Sequence, residues 1–163
     1  MTIKETLLAE FDHEMGTTRK LLDRLPEARL AWKPHEKSMS LGGIATHLSH
    51  IPNWAGSLLN ESAFDLAGAP PNPVEKTSRA AILEAFDAST RQARGWMDKS
   101  DAEYQASWTL RRGGHPIFSM PRLAAFRSFV LSHMIHHRGQ LSVYLRLNDV
   151  PVPAIYGPSA DEG

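Results

Sequence analysis

The chain has 163 residues, with eighteen basic and eighteen acidic side chains that cancel, and it contains no cysteine. That length fits one domain spanning residues 1–163 with a sizeable core. The charge balance argues against nucleic-acid binding, and the absence of cysteine excludes disulfides, thiolate metal ligands and a cysteine nucleophile.

No apolar run reaches the length of a membrane span. The start Met-Thr-Ile-Lys-Glu-Thr lacks the apolar centre of a signal peptide, so a cytoplasmic protein with no membrane partner is expected. Four helical stretches are predicted, and no long strand. The first runs over about residues 3–25, with Leu7, Phe11, Met15, Thr18, Leu22 and Leu25 as its inner stripe, and Pro26 breaks it. Ser38 or Ser40 caps the second, which runs to about Asn60, with a bend expected at Pro52. Gly68-Ala-Pro-Pro-Asn-Pro marks a long connection. The third helix covers about residues 78–99, with Ile82, Phe86, Ala93 and Trp96 on one side. A small hairpin is predicted across Gly113-Gly114. Pro121 then opens the last helix, which runs to about Leu147. The expected fold is all-α: a four-helix bundle with two long connections, which permit a course other than simple up-down-up-down.

The most informative segment is His133-Met-Ile-His-His within the last helix. Its apolar stripe runs Leu123, Phe126, Val130, then His133 and His137, then Leu141 and Tyr144. Residues four apart share a helix face, so His133 and His137 occupy seam positions where leucines would be expected. A buried imidazole is costly unless its nitrogens find partners. Such a pair reads either as hydrogen-bonded core histidines or as metal ligands. His47 supplies a third candidate from the second helix, in the stripe Ile44, His47, Ile51, Trp54 and Leu58. Three histidines on the inward seams of two helices favour a divalent metal site in the bundle core.

The remaining histidines carry blander expectations. His50 reads as partly exposed, and His13 as exposed or structural. His35 and His115 fall in solvated loops, and His136 points about 100° away from His137. Trp54 and Tyr144 lie two turns along the faces of their histidines, as core residues or as cavity walls. Arg138 is expected to face solvent or another subunit. No carboxylate sits near the histidine seams at helical spacing, so no general base is named.

His47 within Leu-Gly-Gly-Ile-Ala-Thr-His-Leu-Ser-His-Ile resembles the DinB family. So do His133-Met-Ile-His-His-Arg-Gly-Gln-Leu-Ser-Val-Tyr-Leu-Arg, Phe-Asp-His-Glu-Met, Val-Pro-Val-Pro and Tyr156-Gly157. The resemblance spans nearly the whole chain. It implies a four-helix bundle of up-down-down-up topology, often a homodimer. It also implies a divalent ion, nickel or zinc, on one histidine of helix two and two of helix four, positions that match His47, His133 and His137. Family members include thiol-dependent transferases and isomerases that use mycothiol or bacillithiol. Three neutral imidazoles leave an open coordination position for a water or a small-molecule thiol. Hydrolysis and thiol-dependent transfer or isomerisation are therefore both expected as enzyme readings, with a non-catalytic metal- or ligand-binding bundle as the alternative.

Overall fold

In the computed structural model, which describes residues 1–162, the first three long helices each begin at a residue whose side chain satisfies a free N–H group. Thr2 caps α1 (Ile3–Leu22): its hydroxyl accepts from the Glu5 N–H at 3.2 Å, and the Glu5 carboxylate accepts from the Thr2 N–H at 2.8 Å. Ser40 caps α2 (Leu41–His50) by accepting from the Gly43 N–H at 2.8 Å. Pro52 interrupts the helix where the bend was expected. One 3₁₀ turn, Ile51–Trp54, joins α2 to α3 (Ala55–Asn60). Ser78 caps α4 (Arg79–Trp96), and Ser100 with Glu103 caps the short α5 (Asp101–Gln105).

The all-α expectation needs correction. The protein is mostly helical but carries a three-stranded sheet in the order β1 (Ala63–Asp65), β2 (Ser107–Arg112), β3 (His115–Pro121). Strands β2 and β3 form the hairpin expected at Gly113-Gly114, where φ values of 58° and 80° suit residues without a Cβ. Strand β1 pairs parallel to β2. Three residues are too few to show an alternating pattern, which is why β1 left no signal in the sequence. A side chain outside the ladder holds it there: the Asp65 carboxylate accepts from the N–H groups of Gly113 at 2.8 Å and Gly114 at 2.6 Å. These bonds and that of the Ala67 N–H hold the Asp65 carboxyl below its usual range, Ala67 contributing most.

Pro121 ends β3 and caps the last helical course rather than lying inside it. That course has three parts: α6 (Arg122–Phe126), a π-helical segment over Arg127–Ser132, and α7 (His133–Leu147). Helices α1 and α2 each pack against both α4 and α7. Their shared core includes Phe11, Leu22, Ile44, Leu48, Phe86, Phe126 and Leu141, all fully buried. Each such side chain contributes about 1.5–3 kcal/mol relative to exposure. Among the described residues, no helix is long and apolar enough to cross a membrane.

Arg138 is not on the surface: it is 1 % exposed. Its guanidinium is ion-paired with the Glu14 carboxylate at 2.6 Å, and it donates to the Glu14 backbone carbonyl at 3.1 Å and to the Tyr156 hydroxyl oxygen at 2.5 Å. The Tyr156 hydroxyl in turn donates to the Glu14 carboxylate at 2.9 Å. Two buried charges and a phenol thus satisfy one another, tying α7 to α1 and to the C-terminal tail.

Candidate metal centre

The three histidines singled out in the sequence meet at one place. His47 comes from the last two turns of α2, and His133 and His137 from the first two turns of α7. Nε2 of His133 lies 2.9 Å from Nε2 of His47 and 3.1 Å from Nε2 of His137. One ligating atom from each residue fits within a span of 4.8 Å. None of the three is in the deep core. They are half-buried at its margin, lining an open cleft of about 450 Å³ with Trp54, Thr46 and Glu75. The indole of Trp54 stands over them, 5.1 Å from the His133 ring and 5.7 Å from the His47 ring.

The donor set fits a divalent ion. Gln140 Oε1 lies 2.7 Å from Nδ1 of His137, so that nitrogen carries the proton and Nε2 presents its lone pair to the centre. His133 Nε2 faces two ring nitrogens and holds one hydrogen or none, so it cannot give both neighbours a linear hydrogen bond. A cation at their meeting point satisfies all three lone pairs. Nitrogens bound to one zinc at about 2.0–2.1 Å in tetrahedral geometry stand roughly 3.3–3.4 Å apart. The observed 2.9 and 3.1 Å are within a few tenths of that.

Electrostatics keep the rings neutral, as ligation requires. Burial, reinforced by His137, His133 and His50, pushes His47 down to about 4. Burial also lowers His133, with help from His137 and His136. It lowers His137 too, against the opposing bond to Gln140. The metal-free protein should therefore lose stability as pH falls from about 6.5 to about 4. In that window the unfolded chain binds a proton at His47 that the folded chain excludes. Urea midpoints at about pH 7 and pH 4.5 measure the loss, and His47→Gln should reduce it. Identical losses in both proteins would refute the assignment.

The other histidines lie outside the centre, though His115, expected in a loop, opens strand β3 instead. His13, His35, His115 and His136 are exposed, and His136, despite a ring 4.9 Å from that of His137, lies outside the converging group. His50 is half-buried and does not line the cleft. Tyr144 packs edge-on against Trp32 at 5.6 Å instead of walling the cleft.

Helical spacing missed Glu75. It comes from the long connection between α3 and α4 and reaches the cleft from outside. Its carboxylate accepts from the Ser40 hydroxyl at 2.6 Å, and the next residue's N–H donates to Thr46 Oγ1 at 2.9 Å. Gly42 makes the approach possible, because a Cβ there would lie 2.7 Å from Glu75 Oε1. A carboxylate at the start of α2 also suits the positive end of that helix.

Fold and sequence place the chain in one family: it belongs to the DinB family, whose model matches residues 1–163. The chain is 28 % identical over 155 residues to the uncharacterized protein YrdA of Bacillus subtilis (strain 168), covering 95 % of this chain and 89 % of that protein. Its fold is similar to that of a DinB-like protein from Bacillus cereus ATCC 10987, with a TM-score of 0.73, 23 % identity, and 95 % and 98 % of the two chains covered. A second DinB-like protein, YjoA from Bacillus subtilis, matches with a TM-score of 0.69 and 14 % identity over 96 % and 98 % of the chains.

Proposed function

We propose that the protein is a metal-dependent enzyme in which His47, His133 and His137 hold one divalent ion, nickel or zinc, and act on a small-molecule substrate. The observation that carries this reading is the convergence of three Nε2 atoms at the wall of an open cleft. A structural ion would instead be expected in a closed, dry site with four protein ligands. When bound, the ion supplies Lewis acidity and acidifies a water or a small-molecule thiol that reaches it. The chain's own groups do the rest. Gln140 fixes the His137 tautomer, and Trp54 restricts water on one side. Glu75, a carboxylate that lines the same cleft, is the group we assign to accept the substrate's proton. The chemistry is hydrolysis, or transfer or isomerisation dependent on a low-molecular-weight thiol. The lack of cysteine requires any thiol to come from a cosubstrate.

The resemblance also supports an up-down-down-up helical course and a cytoplasmic homodimer. Exposed Val143 and Leu147, one turn apart on α7, leave apolar surface for a helix-packed interface.

Metal analysis of protein purified without an affinity tag tests the reading. One nickel or zinc per chain is expected, followed by Glu75-dependent turnover in a screen of water and small thiols against electrophiles. Absence of a bound ion overturns the reading. A tightly held ion without turnover in either screen favours the non-catalytic metal-binding alternative. Sedimentation of the same preparation at micromolar concentration is expected to show a dimer, and the mass of a single 18.1 kDa chain would overturn that part.

A further inference from the structure

A second cavity lies behind Trp54, with a volume of about 230 Å³. Its walls include Trp54 of the 3₁₀ turn, Leu58 of α3, Phe64 of β1, Trp108 and Leu110 of β2, and Phe129 of the π-helical segment. No charged residue lines it. Phe129 is held by two aromatic neighbours, Trp108 at 5.9 Å and Phe118, stacked at 6.2 Å with planes 6° apart. The residue one turn after Phe129 is His133, and Trp54 is a wall of both this cavity and the histidine cleft. The sheet therefore walls one side of a half-open apolar chamber beside the proposed metal centre.

We infer that this chamber is the subsite for an apolar group of the substrate, a phenyl ring or a branched alkyl group of similar size, whose polar head reaches the histidine centre past Trp54. The inference rests on the metal-centre reading above and adds a substrate class to it. Volume sets the class: an apolar protein cavity of about 150 Å³ stays dry and takes up benzene. The present chamber holds one such group with room to spare. The lining selects for apolarity, since a charged or strongly polar group would lose its hydration with nothing to replace it.

The test uses the full chain. Calorimetry on nickel-loaded protein compares benzyl mercaptan with 2-mercaptoethanol, which share a thiol head and differ in the apolar part. Benzyl mercaptan should bind at least tenfold tighter, the gain expected from removing a ring from water. Toluene should bind the metal-free protein and change its tryptophan fluorescence. Ser57→Phe, which fills the chamber, and Leu66→Glu, which places a charge at its rim, should each abolish the preference for benzyl mercaptan. Two different substitutions guard against a failure of either one to fold. Equal affinities for the two thiols on nickel-loaded protein overturn the subsite. Failure to bind nickel overturns the metal reading instead. The toluene arm then decides the chamber alone, and no binding of toluene overturns it.

Discussion

His133→Ala should lower affinity for nickel or zinc by more than about 100-fold, beyond the roughly 10–100-fold attached to losing an outer partner of a ligand. His133 is the residue to change because its Nε2 touches both other ring nitrogens, at 2.9 and 3.1 Å. Removing it leaves two imidazoles on different helices. Gln140→Ala belongs to the milder class: the ligand stays, but nothing fixes the proton on Nδ1 of His137. His136→Ala should change affinity little, since that ring lies outside the group. Competition with a chromophoric chelator ranks the three proteins. A His136→Ala loss as large as that of His133→Ala would place the centre elsewhere.

The second large effect is on stability. Arg138→Ala should destabilise the protein by about 3–5 kcal/mol, because it leaves the Glu14 carboxylate buried without its partner. For a chain of this size that corresponds to a fall in Tm of roughly 10 °C. Arg138→Met combined with Glu14→Leu should recover most of it, since replacing both members of a buried ion pair by apolar groups is often neutral or better. Thermal unfolding of the single and double variants separates the two cases. A single variant as stable as the parent would mean that water reaches the Glu14 carboxylate.

Much of this site was legible in the sequence, and the reason is periodicity. His47 and Trp54 fall seven residues apart on one helical course, and His133 and His137 four apart on another, so helical geometry brings each pair to one face. Residues from connections escape such reasoning. Glu75 has no periodic neighbour, and only the packing of its loop on Gly42 and Ser40 puts it in the cleft. Strand β1 escaped for a related cause, being held by the Asp65 carboxylate rather than by a pattern of its own.

Arg138 misled for a different reason. Following the stripe Phe126, Val130, His133, His137 at ordinary helical spacing puts residue 138 outside. The π-helical segment over Arg127–Ser132 adds residues to the turn. Beyond it the deepest positions are Met134, Arg138, Leu141 and Leu145, so the seam lies about one residue later than the pattern indicated. Nothing in the composition of Arg-Ser-Phe-Val-Leu-Ser announces that shift.

A widened turn of this kind is equivalent to a one-residue insertion absorbed inside a helix instead of being expelled into a loop. Upstream of it, Phe126 is committed to the interior. Downstream, the same helix is rotated so that an arginine takes the interior position while two imidazoles come to the rim. The segment thus divides one continuous rod into a scaffolding half and a chemical half. A change in length by a single residue there would turn the chemical half about its axis without altering any of the three histidines.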